Sequence, residues 1–384
     1  MKLLVITHNN NANSGANRSL LSLLDLWKDS NQITVVTNTS QGELPVILRD
    51  KGINVLSVPY FWSYVPGRGS KFRNFIIFVR GYLRLFVNIL ACIRLYANLR
   101  NKDFDILYTN TSVVTLGSIL SKIMNIPHIW HIREFRDKDF GLKKLLPQSY
   151  YIECYSSAHQ LITVSDALKM YYQEFLPDAK IETVYNGFDV DRLSSRKNNL
   201  SRSGRVNVLI AGQLSKQKGQ DQAIRAVHII NETSCLSEPV HLYIAGSGDS
   251  DYLDSVLAET NYPSYVHVLG QVADMKALRN EMNCSLVCSA SEAFGRVIIE
   301  SMLHCLPVIG SDAAGSAELI KDGVTGLTYH YGDYINLAHA ICQLQQNTEL
   351  EHKIIENGYL FAKEFTIQKT AKKLMTIFEQ YKSR

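Results

Sequence analysis

Apolar residues fall in short runs along the chain, and between the runs they recur at every third or fourth position. The run Leu3, Leu4, Val5, Ile6 predicts a buried first strand. A polar, Gly-containing loop follows from His8 to Asn17, and then Leu20, Leu23, Leu24 and Trp27 share one helical face. Further runs at 33–36, 105–108, 128–132 and 161–164 predict later strands. Short apolar strands separated by helices predict a parallel, doubly wound α/β sheet.

The stretch from Asp189 to Arg205 breaks this rhythm. It is rich in Ser, Asn and Arg and has little apolar periodicity, so it reads as a linker. The alternation then restarts, with strands expected at 206–211, 241–245, 266–269, 285–288 and 308–309 and helices at 220–231 and 296–304. Residues 349–382 read as a helical, amphipathic tail. Two Rossmann-like domains facing a cleft are therefore expected. The first covers 1–188, the linker 189–205 and the second 206–365, and a C-terminal helix at 366–384 is expected to return to the first domain.

Composition changes this picture little, except in charge and cysteine. The opening apolar run is too short for a signal-peptide core, and no run of about 18 uninterrupted apolar residues occurs, so no membrane-spanning helix is expected. Seven scattered cysteines without a C-x-x-C pair predict free buried thiols and a cytoplasmic protein. Net charge is only +4, yet residues 51–102 hold nine Lys or Arg and no acid. That asymmetry predicts one face suited to an anionic surface.

Three segments carry candidate chemistry. Glu292-Ala293-Phe294-Gly295-Arg296-Val297-Ile298-Ile299-Glu300 follows a predicted strand. Gly295 permits a tight turn, and a helix starting near Arg296 offers N–H groups to a diphosphate. Glu292 in the loop suits sugar hydroxyls and Glu300 on the helix suits a ribose; acids favoured by the helix dipole are the plainer account. Gly212-Gln213-Leu214-Ser215-Lys216-Gln217-Lys218-Gly219 again follows a strand. Its lysines can clamp phosphate, although a solvated Lys-rich turn is the commoner case. The third segment, Gly310 to Ile320 with Asp322 to Gly326, offers small residues to a ligand, or simply a turn and a helix cap. A lone Gly246-Ser247-Gly248 is a weak dinucleotide signal. The histidines form no metal cluster, and His8 and His128 read as strand-end or core residues.

In this order and spacing the segments resemble the C-terminal domain of family 4 retaining glycosyltransferases of the GT-B fold. Val184-Tyr185-Asn186-Gly187-Phe188-Asp189 resembles a signature of that family ahead of the linker. Ser14-Gly15-Ala16-Asn17-Arg18 resembles its Gly-rich donor-facing loop. Trp130-His131-Ile132-Arg133-Glu134-Phe135 resembles a His-containing segment of members that build bacterial surface polysaccharides. The resemblance implies a retaining hexosyl-type transferase that uses a nucleotide-sugar donor and a saccharide or lipid-linked saccharide acceptor. No cofactor, metal or nucleic-acid partner is implied. By the same resemblance Glu300 would bind the donor ribose, Glu292 the transferred sugar and Lys218 the diphosphate. Phe294, Gly295, Arg296 and Val297 would line the site. Gly15 and Ala16 would close over the diphosphate, and His131 would approach the donor sugar. One departure is Gln213, where the family usually has Arg; Lys216 is the nearest compensating cation. Gln213 also supports a rival reading, a non-catalytic subunit of a membrane-associated complex.

Residues 72–94 carry a helical pattern. Arg73, Arg80, Arg84 and Arg94 share one arc, and Phe75, Phe78, Val79, Tyr82, Phe86, Ile89 and Ile93 lie opposite. Two outcomes are open. The arginines would lie on an anionic membrane at its cytoplasmic face, or the helix would pack its apolar arc on the domain with its arginines in water.

Overall fold

The apolar runs pair into two parallel sheets in the computed structural model, which describes residues 1–66, 71–194, 204–260 and 263–382, and side chains there outside 71–75. The first sheet contains β1 Lys2–Ile6, β2 Gln32–Thr37, β3 Asn54–Ser57, β5 Ile106–Thr109, β6 His128–Ile132, β8 Gln160–Thr163 and β9 Ile181–Thr183. Its order is β3-β2-β1-β5-β6-β8-β9, and every pairing is parallel. Beside it β4 Tyr64–Pro66 and β7 Leu142–Lys144 form a small antiparallel pair. The second sheet contains β10 Val206–Ala211, β11 Val240–Ala245, β12 Val266–Gly270, β13 Cys284–Val287, β14 Val308–Ser311 and β15 Leu327–Tyr329. Its order is β12-β11-β10-β13-β14-β15. The chain divides into two compact units, Met1–Phe188 with Ile367–Arg384, and Asp189–Thr366.

The central strands are buried on both faces, which is why they read as continuous apolar runs. β3, β9 and β15 escaped the pattern. All three are short edge strands, and an edge strand needs no unbroken run.

The tail is two helices. Thr348–Ala362 belongs to the second unit and Ile367–Tyr381 to the first. The second of these is tied by Ile367 N–H to the Phe188 carbonyl at 2.9 Å and by Thr370 Oγ1 to the Tyr185 carbonyl at 2.9 Å. Its Phe378 ring lies 5.5 Å from Trp27 and 5.3 Å from Tyr108, centroid to centroid.

The free-thiol expectation is corrected at two positions. Cys235 and Cys342, separated by 107 residues, form a disulfide with Cα atoms 6.7 Å apart. Cys235 follows the Gln220–Thr233 helix and Cys342 lies on the Tyr334–Gln346 helix; these two helices pack together, which sequence spacing does not reveal. The cysteines therefore carry no argument for a reducing compartment.

The aromatic, basic stretch forms a single helix, Lys71–Leu99. One expectation about it, the face it packs on the domain, is corrected. Within it, Ile76–Leu99 has a mean hydropathy of 1.9 and is long and apolar enough to cross a membrane, because scattered polar residues interrupt the run without lowering its average much. The arc packed on the domain is not the aromatic one. Gly81, Asn88, Ala91, Cys92, Leu95 and Leu99 face inward, against elements that include the Leu116–Met124 helix. Phe78, Val79, Tyr82, Phe86, Ile89 and Ile93 are exposed.

Small residues let this helix sit close. A Cβ at Gly81 would run into the Leu145 carbonyl and lie 3.1 Å from the Leu145 Cβ. Ala is the better helix former by about 1 kcal/mol. Gly81→Ala should nevertheless destabilise the protein, by about 1–3 kcal/mol, because overpacking outweighs propensity. Urea unfolding of the variant against the parent checks this, and a gain in stability would refute the close seating.

Candidate functional site

In each sheet the strand order reverses direction once, between β1 and β5 and between β10 and β13. Ligands of open α/β sheets settle at the carboxyl ends of the strands beside such a reversal. The three segments singled out in the sequence follow β10, β13 and β14.

The loop after β10 is pinned by Leu214 N–H to the Ser247 carbonyl at 3.0 Å and by Asp249 N–H to the Leu214 carbonyl at 2.9 Å. It then turns through a short 3₁₀ segment, Lys216–Lys218. Ala290 N–H bonds the Gln217 carbonyl and Gly315 N–H bonds the Glu292 carbonyl, both at 2.9 Å. Three strand-end loops are thereby gathered around Glu292. Lys218 Nζ lies 2.5 Å from Glu292 Oε1, and Ser289 Oγ donates to the same oxygen at 2.6 Å. Gln213 and Lys216 are exposed nearby in sequence. Gly295 caps the Arg296–Leu303 helix at φ +91°, a backbone region open to glycine and strained for other residues. That cap makes no side-chain hydrogen bond to the first turn.

Glu300 is buried rather than presented as an open carboxylate. Arg279 Nη2, on the Met275–Asn280 helix, donates to Glu300 Oε2 at 2.8 Å, and Arg296 Nη2 stands 3.5 Å from Oε1. Phe294 is 3% exposed with its ring against Phe365, so of this residue only the backbone can line a site. Val297 is half-buried in the first turn of the helix. Sequence reasoning missed Arg279 and Ser289, which lie outside the loop–helix motif.

In the first unit Gly15 and Ala16 are not loop residues. They open the Gly15–Trp27 helix behind the Ser14 cap, and the Ala16 carbonyl accepts from Asn110 Nδ2 at 3.1 Å. His131, at the end of β6, is fully buried. Tyr108 Oη lies 2.6 Å from its Nδ1 and Arg133 Nη2 3.4 Å away, while Nε2 has no hydrogen-bond partner. Burial, reinforced by Arg133, holds the ring well below its usual range, so it is neutral. Arg133 donates from Nε to Asn110 Oδ1 at 2.7 Å and from Nη1 to Asn186 Oδ1 at 2.6 Å. The signature residue Asn186 is thus a partner of the His-containing segment. Glu134 accepts from Ser112 N–H at 2.9 Å and Ser112 Oγ at 2.8 Å. His8 is buried at the end of β1, where burial, then Glu134 and Arg133 in opposite senses, leave its pKa lowered. Asn110, Arg133, Glu134 and His8 were not singled out as site residues from sequence. A cavity of about 540 Å³, lined by residues such as Lys2, Asn31 and Asn54, sits at the opposite, amino-terminal ends of these strands.

Comparisons with known proteins bear on the family and the fold. A family model described as Glycosyl transferases group 1 matches residues 191–361, and one described as Glycosyltransferase Family 4 matches residues 13–192. An uncharacterized glycosyltransferase of Methanocaldococcus jannaschii is 26% identical over 328 residues, 83% of this chain and 88% of the relative. The capsular polysaccharide biosynthesis glycosyltransferase CapM of Staphylococcus aureus is 29% identical over 154 residues, 38% of each chain. The crystal structure of Anabaena HepE in complex with UDP and glucose superposes with a TM-score of 0.79 at 20% identity, covering 99% of this chain and 100% of that one.

The buried histidines make stability depend on pH. Burial brings His128 down to about 3, and His131 also lies well below 6.5. Below pH 6.5 the unfolded chain binds protons that the folded chain does not, so stability falls as pH falls. Each ring contributes up to about 1.4 kcal/mol per pH unit below that point. Urea unfolding at pH 7 and pH 5.5 should show the loss, and His128→Gln should lessen it by one ring's share, since His131 and His8 remain. An unchanged slope in the variant would place the acid sensitivity elsewhere.

Proposed function

The chain belongs to the family 4 glycosyltransferases of the GT-B fold, and on that premise we propose that it uses a nucleotide-sugar donor and transfers a hexose with retention. The acceptor we propose is a saccharide or lipid-linked saccharide of a bacterial surface polysaccharide. The observation that carries the donor half is the convergence of Lys218, Glu292 and the Gly295-capped helix at the strand reversal of the second sheet. The UDP and glucose held by HepE support the donor class, and the capsular role in the name of CapM supports the acceptor class.

The chemistry follows from charge. As the donor breaks, negative charge develops on the departing diphosphate, and a cation with fixed backbone amides stabilises it most where water is scarce. Lys218 and the first-turn amides after Gly295 would fill that role, so no metal is needed. The diphosphate would compete with Glu292 for the Lys218 ammonium and free the Glu292 carboxylate for sugar hydroxyls. Glu300, steadied by Arg279, would hold the ribose. By the family resemblance, Gly15 and Ala16 would serve the diphosphate through their helix-end amides, and His131 the sugar as a neutral ring.

Incubating the purified protein with a panel of nucleotide sugars, and measuring the free nucleotide formed, tests this reading. One donor should turn over and keep turning over in excess EDTA; complete loss that added metal restores would refute the clamp. Glu292→Ala should lower kcat. Glu300→Gln should raise the donor KM roughly tenfold to a hundredfold, as expected for a lost hydrogen bond to a charged group. Glu300→Ala strands the buried Arg279 and should also destabilise the fold by about 3–5 kcal/mol. Parental kinetics in both Glu292→Ala and Glu300→Gln would overturn the site.

A further inference from the structure

We infer that the Lys71–Leu99 helix is an in-plane membrane anchor that buries its outer apolar face in one leaflet of an anionic bilayer without crossing it. The outer face is the evidence. Val79, Leu83, Phe86, Leu90 and Ile93 run along it, and Leu83 and Phe86 are 62% and 59% exposed. With Ile76 at one end and Tyr96 at the other, this strip is about 30 Å long at 1.5 Å per residue. Apolar patches of such extent mark membrane or partner surfaces.

Charge selects the occupant. Arg80 and Arg94 are exposed along one flank of the strip, and Arg100 is exposed just past its end. No acid occurs anywhere from 51 to 102. A second copy of the chain laid on this face would set unneutralised arginines among their own counterparts. Lipid phosphates supply the missing negative charge. Apolar insertion beside basic residues is the pattern of a helix that lies in the interface.

The inner face excludes a spanning arrangement. Asn88 bonds the Phe61 backbone through both N–H and carbonyl, at 2.8 and 3.0 Å. Arg84 donates to the Trp62 and Tyr64 carbonyls, so it serves the domain and not the lipid. Cys92, Leu95 and Leu99 are fully buried. From Gly81 to Leu99 the helix is held to its domain, and there only its outer side is free to meet a membrane.

This inference stands apart from the donor chemistry, and its test keeps the two separate. The full-length protein is sedimented with sucrose-loaded vesicles of phosphatidylcholine, with and without phosphatidylglycerol. The parent should bind the anionic vesicles, more weakly in high salt, and should come off on dilution. A variant with Leu83→Ser, Phe86→Ser, Leu90→Ser and Ile93→Ser should lose at least about tenfold in partitioning. Arg80→Glu with Arg94→Glu should lose a similar factor while keeping the apolar strip. All these positions are at the surface, so melting temperature and nucleotide release in solution should stay parental. The inference falls if the parent stays in the supernatant, if the serine variant sediments like the parent, or if bound protein resists dilution as a spanning helix would. It falls equally if the lipid-free parent is a dimer that the serine variant dissociates, for the face is then a self-interface.

Discussion

A parallel strand covered on both faces can present polar chemistry only at its ends. That constraint governs both units. β1, β5, β6, β13 and β14 are buried almost throughout, so Glu292, Lys218, Arg133 and Glu134 all sit just past strand ends or on the loops beside them. The reversal of strand order then decides which ends gather. It brings the loops after β10 and β13 together in one sheet and the ends of β1 and β5 together in the other.

Buried charge hardens these places. Arg279 and Glu300 take each other out of water with side chains 4% and 7% exposed. Such a pair adds little net stability but is costly to break, so it holds the loop–helix motif in one geometry. Arg133 is anchored differently, by the amide oxygens of Asn110 and Asn186, and so links the end of β5 to the segment after β9. In both cases a residue far away in sequence fixes the orientation of the motif residue.

The Lys71–Leu99 helix obeys the same economy in reverse. Gly81, Asn88, Ala91 and Cys92 face the domain together with Leu95 and Leu99, while most of its large apolar residues face outward, and close seating requires Gly81 on the inside. A soluble core helix would show the opposite arrangement. The helix also shows why a hydropathy count alone is ambiguous: the same 24 residues satisfy a length test for spanning while their inner face is committed to the domain.

By itself the sequence determined the two runs of alternating strand and helix, the start of the Arg296–Leu303 helix and the motifs that mark the family. These depend on local periodicity and on glycine placement, which a linear chain displays directly. Edge strands β3, β9 and β15 stayed hidden because one exposed side relaxes the apolar demand. The helical tail was legible in its periodicity, and only the structure shows its last helix tied to the Phe188 and Tyr185 carbonyls. Only the tertiary structure decided that Cys235 meets Cys342, that Glu300 is paired with Arg279, that His131 is buried and neutral, and which face of the long helix packs inward. Each of these is a contact between residues distant along the chain, and periodicity reports which side of an element is apolar but not what covers it.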